Sequence, residues 1–372
     1  MRSIVLSVAL ALLAGCGSAP VQKPAELTEF RPTATLKVLW RGSVDSAGEN
    51  VYYPDASGNT VYAVGAGGGV NGFDAASGKS VASFEAGQRV SGGVGVGNGL
   101  VLLGTPKGEV LAFDLDGKPI WKTQLSSEIL APPQAQDGTV VVRSGDNRIF
   151  GLDAANGKQK WLYQRSTPAL SVRTNAGVVI QRGGVFVGFP GGRLVALALG
   201  NGNIGWEGVV AMPRGTTELE RVADITSLPV IDGQQACAAA FQGRVACFEV
   251  ARGTLLWARD VSSVAGIGAD ARYLYVTDDK NAVLALDRAS GASIWRQDKL
   301  VDRNVSAPLA LGRHVVVGDL EGYVHLLSRE DGSFAARIAT DGSAIGAPPL
   351  ALDARSFLVQ TRDGGVFAIT VQ

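Results

Sequence analysis

Short apolar runs separated by polar turns extend over most of the chain, and this pattern predicts a sheet-rich fold. Residues 315–318, 323–327 and 334–338 are three such runs, with only a few turn residues between them. Pairs such as Asp137-Gly138 and Asp363-Gly364 favour the tight turns that connect antiparallel strands. The chain is therefore predicted to form repeated meanders of short antiparallel strands.

A unit of about 40 residues recurs along the chain. Each copy has two small or apolar residues, often an Asp, a short polar turn, a Gly and, four residues later, a Trp. Asp153, Gly157 and Trp161 form one copy. An Asp side chain can accept backbone N–H groups and Gly can adopt positive φ, so we expect a turn in each copy. The Trp position is occupied in order by Trp40, Ala82, Trp121, Trp161, Trp206, Trp257, Trp295 and Ala336.

This repeat predicts an all-β fold, an eight-bladed β-propeller of four-stranded antiparallel blades over about residues 35–372. The chain begins with an unpaired Trp-type strand near residues 36–41 and stops just before the next one would be due. The N-terminal strand should therefore close the last blade, which removes an exposed edge. We expect the Trp side chains to pack between neighbouring blades.

Composition and charge argue against several classes of function. The chain has 372 residues, 49 of them Gly, and its 34 Lys and Arg balance 34 Asp and Glu. Zero net charge argues against a nucleic-acid-binding protein, which needs a concentrated positive field. Two His and three Cys offer little material for a metal centre, and no nucleophile motif is present. We therefore expect no metal, no cofactor and no enzyme activity.

The N-terminus has the features of a targeting segment. Residues 1–15 contain an apolar stretch too short to cross a bilayer, followed by Leu13-Ala14-Gly15-Cys16. This run resembles the signal sequence of bacterial lipoproteins, which implies cleavage before Cys16 and its lipidation. Gly17 follows where inner-membrane retention would call for Asp, so the resemblance favours the outer membrane. The alternative is an ordinary secretory signal. Residues 16–34 are predicted to be a flexible tether.

Cys237 and Cys247 flank the turn at residues 241–243. A three-residue loop would place the two side chains opposite each other on adjacent strands, close enough for a disulfide in the oxidising periplasm. A two-residue loop would shift the register and prevent the bond. The sequence leaves both outcomes open.

Two adjacent repeats are longer than the others, and they locate a candidate binding surface. The added residues lie between Trp161 and Trp206 and between Trp206 and Trp257. In propellers such additions usually form loops on one face, often the binding face. The second addition, at residues 208–226, is irregular and charged. A partner-binding surface is therefore predicted there.

The repeat resembles that of quinoprotein-type propellers. One group with this repeat is the B subunit of the β-barrel assembly machinery, a non-catalytic outer-membrane lipoprotein. The signal, the tether, the eight repeats and the runs at residues 217–224 and 317–325 resemble this family over nearly the whole chain. The resemblance implies a scaffold on the periplasmic face of the outer membrane, with nascent outer-membrane proteins as further partners.

The same resemblance implies the contact residues. An apolar-Ser-apolar-Arg run and an Asp-x-Asp run of the family contact a periplasmic POTRA domain of the central barrel subunit. The matching residues here are Leu170, Val172, Arg173 and Asp224, whereas Thr226 replaces the second Asp. Leu170 and Val172 would be apolar anchors, Arg173 a two-pronged donor and Asp224 an acceptor for a basic partner residue. The alternative is that Arg173 and Asp224 pair with each other or with the loop.

A second functional class shares the repeat. Dehydrogenases that depend on pyrroloquinoline quinone use this fold, with a Ca²⁺ site of oxygen ligands and commonly an adjacent Cys pair over the cofactor. Here Cys237 and Cys247 are ten residues apart and acidic residues cluster only in the repeated turns. The sequence therefore favours the scaffold over a periplasmic quinoprotein dehydrogenase.

Overall fold

A computed structural model describes residues 23–372, so the predicted signal segment and Cys16 lie outside the described residues. Within residues 23–372 the chain forms 32 strands. No helix in this range has the length and apolar character needed to cross a membrane. The all-β prediction is confirmed.

The strands form eight sheets of four antiparallel strands each, which are the eight blades. Blades 1 to 4 consist of β2 (Asp55–Ser57), β3 (Thr60–Val64), β4 (Gly69–Asp74), β5 (Ser80–Glu85); β6 (Gly92–Gly97), β7 (Leu100–Gly104), β8 (Glu109–Asp114), β9 (Pro119–Gln124); β10 (Gln134–Gln136), β11 (Thr139–Arg143), β12 (Ile149–Asp153), β13 (Gln159–Tyr163); and β14 (Val178–Gln181), β15 (Gly184–Phe189), β16 (Arg193–Ala198), β17 (Ile204–Val209). Blades 5 to 8 consist of β18 (Val230–Asp232), β19 (Gln235–Ala239), β20 (Val245–Glu249), β21 (Leu255–Arg259); β22 (Gly266–Ala269), β23 (Tyr273–Thr277), β24 (Val283–Asp287), β25 (Ser293–Gln297); β26 (Leu309–Leu311), β27 (His314–Gly318), β28 (Tyr323–Ser328), β29 (Phe334–Ala339); and β30 (Leu350–Ala351), β31 (Ser356–Gln360), β32 (Gly365–Val371) with β1 (Leu36–Ser43).

The N-terminal strand closes the ring as predicted. Strand β1 pairs antiparallel with β32 from Leu36 opposite Val371 to Ser43 opposite Gly365. Blade 8 is therefore built from both ends of the folded domain, and main-chain hydrogen bonds between the first and last strands close the ring.

The hydrophobic core is divided among the blade interfaces. Eight clusters of buried residues each join one blade to the next. The middle strands β11 and β23 are buried along their whole length, because both of their faces meet neighbouring blades. Stability therefore depends on contacts between adjacent blades, as expected for a repeat fold.

The recurring Gly and Trp of the repeats have a direct structural cause. The Trp257 indole on the outer strand of blade 5 packs on Gly291 in the turn of blade 6, and its Nε1–H donates to Arg288 O at 2.9 Å. Gly291 has φ +70°, and a Cβ there would lie 2.4 Å from Trp257 Cε3. All six Trp side chains donate to a carbonyl of the following blade in this way. The prediction that they pack between blades is confirmed.

Each outer strand contains a β-bulge at the residue directly before the Trp position. In blade 5, Cys247 faces Trp257 and Phe248 faces Leu255, so Leu256 is left between them. The same shift occurs in all eight blades. Bulges twist an edge and interrupt its pairing, which protects it from adding another strand. The bulged residues are Leu39, Val81, Ile120, Lys160, Gly205, Leu256, Ile294 and Ala335.

The segment before β1 differs from the predicted tether. Residues 16–34 were expected to be free, but residues 25–34 lie along blade 7. Ala25 N donates to Val301 O at 3.1 Å, and Thr33 N donates to Ala335 O at 2.9 Å. The Phe30 ring packs 5.4 Å from the Phe334 ring. We call residues 25–34 the strap; its apolar and main-chain contacts were not visible from its Pro-rich, polar composition.

The two cysteines of blade 5 are joined. Cys237 on β19 faces Cys247 on β20, with their Cα atoms 4.1 Å apart, and the two form a disulfide. Ala240 N donates to Arg244 O, so residues 241–243 form the three-residue loop on which this pairing depended. The bond links the two middle strands of blade 5.

Candidate functional site

The two longest connections between blades lie side by side on one face. Residues 164–177 lead from β13 into blade 4, and residues 210–229 lead from β17 into blade 5. Neither contains a strand, in agreement with the irregular sequence pattern. We call these two segments the paired connections.

Asp224 fastens the paired connections to each other. It is 2% exposed. Its Oδ2 accepts from Val172 N at 2.7 Å and its Oδ1 accepts from Gly191 N at 3.0 Å. Both carboxylate oxygens are thus used inside the protein, and the expectation that Asp224 directly accepts a basic partner residue is corrected. Of the alternatives, the structure supports pairing of Asp224 with the loop, because a buried carboxylate needs such donors.

Thr226 has a similar internal position. Its side chain is 8% exposed, and its hydroxyl donates to Val264 O at 3.3 Å. Its carbonyl accepts from the Thr174 hydroxyl at 2.6 Å. Thr226 is therefore part of the frame rather than a contact surface, and a hydroxyl meets the hydrogen-bonding needs of this position without a buried charge.

Arg173 points away from Asp224 and pairs with the preceding connection. Its Nε donates to Glu128 Oε1 at 3.0 Å and its Nη2 to Glu128 Oε2 at 2.8 Å. The Arg173 side chain remains 63% exposed. The hydrogen bonds from Arg173 hold the pKa of the Glu128 carboxyl below its usual range. A solvent-exposed pair of this kind contributes little to stability. The Arg173 guanidinium can therefore leave Glu128 and bind a partner residue at a small cost in stability.

The apolar residues of the surface divide into two kinds. Leu170 is 41% exposed, whereas the side chain of Val172 is half-buried and lines a central cavity. Two further apolar side chains, Met212 and Leu219, are 65% and 71% exposed on the second connection. Sequence reasoning missed both, because an isolated apolar residue in a loop carries no periodic signal.

Leu219 is held by a small local motif. Thr217 Oγ1 accepts from Glu220 N at 3.2 Å, and Glu220 Oε2 accepts from Thr216 N and Thr217 N at 2.8 and 3.1 Å. These reciprocal bonds have the pattern of a capping box. The spacing Thr217-x-x-Glu220 was the signal in the sequence that could have located this ordered turn.

The hairpin at residues 317–325 connects β27 and β28 of blade 7 and contains a buried charge network. Asp319 Oδ2 accepts from Arg303 Nε at 2.7 Å and is 2.8 Å from His325 Nε2. Arg337 Nε donates to His325 Nδ1 at 3.1 Å, so His325 is neutral and carries its proton on Nε2. Burial lowers the pKa of His325 below its usual value. The network supports the strap, since Arg303 also donates to Ala25 O at 2.8 Å.

The central cavity on the same face was tested for a quinone cofactor and its Ca²⁺. It measures about 660 Å³ and includes Asp278 and Asp279 in its lining. Asp278 Oδ2 already pairs with Arg296 at 2.9 Å, and its Oδ1 accepts from two backbone N–H groups. Across the described residues 23–372, no three His, Cys, Asp or Glu side chains are grouped as metal ligands. The donor set does not fit Ca²⁺ with its cofactor, which needs a cluster of oxygen ligands.

The fold defines the class of protein first: an eight-bladed β-propeller of the kind also found in quinoprotein dehydrogenases. Quinohemoprotein alcohol dehydrogenase from Comamonas testosteroni superposes with a TM-score of 0.73 at 14% identity, covering 90% of this chain and 76% of that one. At this identity the likeness shows the fold alone.

The family is given by closer relatives. The family model described as outer membrane protein assembly factor BamB matches residues 66–297. The protein of that name from Nitrosomonas eutropha is 44% identical over 94% of this chain and 85% of its own length. The crystal structure of BamB from Moraxella catarrhalis superposes with a TM-score of 0.83 at 26% identity, over 90% of this chain and all of that one. The chain belongs to the BamB family of outer membrane protein assembly factors.

Proposed function

We propose that this chain is a non-catalytic scaffold of the outer-membrane β-barrel assembly machinery, and that its paired connections bind a periplasmic POTRA domain of the central barrel subunit. The observation that carries the proposal is an exposed set of anchors, Leu170, Arg173 and Leu219, on loops held rigid from beneath by buried Asp224. Rigid loops lose little conformational entropy on binding, so more of the contact energy is available for affinity.

The chemistry of the anchors indicates the kind of contact. Leu170 and Leu219 supply apolar area, and Arg173 presents a guanidinium that can shift from Glu128 to a carboxylate or main-chain carbonyl of the partner. Asp224 and Thr226 act indirectly by fixing the positions of these residues. Loss of Asp224 should therefore weaken binding through disorder of the loops.

The N-terminal features complete the proposal. Lipidation of Cys16 after removal of residues 1–15 would tie the domain to the periplasmic face of the outer membrane. The first main-chain contact of the strap is made by Ala25, only nine positions after Cys16, so the proposed point of lipid attachment is close in sequence to the propeller. Globomycin sensitivity of processing and labelling of Cys16 by palmitate would test this part. A Cys16→Ala, Arg173→Glu double variant still recovered at the membrane, when both proposed attachments are removed, would contradict it.

The binding surface is tested by co-purification of the barrel subunit with full-length variants. Arg173→Glu and Leu170→Asp should each abolish or strongly reduce recovery of the barrel subunit, with unchanged circular dichroism and urea midpoint. Arg252→Glu is the matched control, because Arg252 is an exposed cation on the turn of blade 5. Wild-type recovery with both Arg173→Glu and Leu170→Asp would refute the surface assignment.

The alternative function is tested separately. Purified protein mixed with pyrroloquinoline quinone and Ca²⁺ should show no cofactor absorption after gel filtration and no dye-linked alcohol oxidation. Bound cofactor together with substrate oxidation would replace the scaffold proposal with a dehydrogenase.

A further inference from the structure

We infer that a pocket beside the first of the paired connections, lined by the buried Arg143, is a binding site for a small free carboxylate such as acetate. The inference goes beyond the proposed function, because it concerns a small anion and needs no barrel subunit. It starts from a comparison of the two buried arginines of residues 23–372, Arg143 and Arg303, which are 6% and 2% exposed.

Arg303 shows how a buried cation can be neutralised in this propeller. Its Nε donates to Asp319 Oδ2 at 2.7 Å, and its Nη2 donates to Glu321 Oε2. Burial by itself lowers the pKa of Arg303, but these two carboxylates outweigh burial and raise the pKa above its usual value. A buried charge is costly unless it is paired and hydrogen-bonded, and Arg303 meets both conditions.

Arg143, the last residue of β11, has hydrogen bonds but no carboxylate partner. Its Nη1 donates to Ala176 O at 3.0 Å and its Nη2 to Asn147 Oδ1 at 2.7 Å, and both acceptors are uncharged. None of the salt bridges within residues 23–372 includes Arg143. Burial lowers the pKa of Arg143 to about 10, although the more distant Asp224 carboxylate acts in the opposite direction. The charge of Arg143 is therefore only partly balanced inside the protein.

The acidic side chains of this region are engaged elsewhere. Asp146 pairs with Arg148 at 3.3 Å, and Glu128 binds Arg173 through both of its carboxylate oxygens. Asp224 uses both of its oxygens to accept main-chain N–H groups. Only a carboxylate from outside the chain can therefore pair with Arg143 without breaking one of these contacts.

A pocket of about 140 Å³ gives access to Arg143 between the turn that follows β11 and the first of the paired connections. Its lining contains two arginines, Arg143 and Arg173, together with the uncharged polar residues Asn147 and Ser171, and it contains no Asp or Glu. A guanidinium has five N–H donors, and Arg143 uses two of them within the protein. The others remain for an anion that enters the pocket.

The surroundings of the Arg143 guanidinium favour a planar carboxylate. The Phe189 ring covers one face of the guanidinium, with its centroid 5.7 Å from Arg143 Cζ. An anion therefore approaches in the guanidinium plane, where a carboxylate can accept two parallel N–H bonds and a halide cannot. The volume of the pocket suits an anion of the size of acetate.

Occupancy of the pocket should affect the first of the paired connections. Arg143 already donates to Ala176 O at the end of this connection, and Val172 and Thr174 also line the pocket. An anion that binds only the folded arrangement stabilises that arrangement. Bound carboxylate should therefore make residues 171–176 more rigid.

Binding is measured on the full-length protein alone by nuclear magnetic resonance of the arginine Nε–H groups, with sodium acetate replacing sodium chloride at constant ionic strength. The Arg143 signal should shift and reach saturation. The Arg303 signal should not, because that buried arginine already has its carboxylates. A shift of Arg143 that does not saturate, or an equal shift of Arg303, would overturn the inference.

Hydrogen exchange provides an independent readout that includes variants. In wild type, about 100 mM acetate should slow exchange in residues 171–176 relative to the same concentration of chloride. Arg143→Met, which keeps the length of the side chain but removes its charge and donors, should abolish this difference. Arg252→Met, at the exposed cation on the turn of blade 5, should keep it.

Two results of the exchange experiment would overturn the inference: equal exchange in acetate and chloride for wild type, or an undiminished acetate effect in Arg143→Met. The wild-type comparison is decisive even if Arg143→Met does not fold. No barrel subunit is present in either experiment, so failure of this inference and failure of the proposed POTRA contact are distinguishable.

Discussion

The contact between a turn glycine and a neighbouring Trp predicts a measurable difference between two glycines of similar backbone conformation. Gly291 and Gly138 have φ of +70° and +72°. A Cβ at Gly291 would lie 2.4 Å from Trp257, whereas a Cβ at Gly138 would have no atom within 4 Å. Replacing each with Ala therefore applies the same backbone strain with and without a collision.

The magnitudes follow from these two contributions. An L-residue in the left-handed region costs about 1–2 kcal/mol, and this is the whole expected loss for Gly138→Ala. Overpacking against a buried ring adds about 1–3 kcal/mol, so Gly291→Ala should lose about 2–5 kcal/mol of the free energy of unfolding. The additional loss measures how strongly packing between blades 5 and 6 requires glycine at this position.

Urea unfolding followed by far-ultraviolet circular dichroism measures both losses, provided that each variant shows one transition. A double-mutant cycle adds the decisive control: in a Trp257→Ala background, Gly291→Ala should cost no more than Gly138→Ala, because the colliding ring is gone. Equal losses for Gly291→Ala and Gly138→Ala in the native background would refute the proposed origin of the Gly–Trp spacing.

Three further outcomes are expected. Reduction of the bond between Cys237 and Cys247 should cost about 2–3 kcal/mol for a short closed loop, and uptake of alkylating reagent without reductant would show that the bond is absent. Asp224→Ala should leave two backbone donors unpaired at a cost of about 1–3 kcal/mol each and speed hydrogen exchange in the paired connections, whereas unchanged exchange would contradict the clamp role. Burial lowers the pKa of His325 below 6.5, so the unfolded chain takes up a proton first; stability should be complete above pH 6.5 and decline below it. His325→Gln should flatten this decline between pH 7 and 5 more than His314→Gln does, because burial lowers the His314 pKa in a less enclosed site.

Much of the architecture could be predicted from the sequence, because each repeat carries its own turn and packing signals. Gly and Trp recur along the chain because the Trp of one blade packs on the turn Gly of the next blade. Asp287 is an example of a turn signal within a single repeat, since its Oδ1 accepts from Ser290 N at 2.9 Å. Closure by β1 followed from counting strand types along the chain. Such signals are local or periodic, so they are visible without coordinates.

The sequence located the candidate surface, but it did not distinguish the exposed residues of that surface from the buried ones. The long repeats and the charged insertion pointed to the segments that the structure shows as the two longest connections between blades. Whether a charged residue in them faces solvent depends on contacts between segments far apart in sequence. Asp224 holds the loops from a buried position, where Val172 N and Gly191 N both donate to it. Arg173 instead pairs at the surface with Glu128, which belongs to an earlier connection.

The sequence by itself determined the number of blades, the order of strands, the closure and the position of the insertion, because these depend on periodic patterns and on chain length. Only the tertiary structure decided that the strap lies along blade 7 and that Asp224 is buried between the paired connections. The reason is that these contacts join segments far apart in sequence, so they depend on how the eight blades and the N-terminal segment pack together.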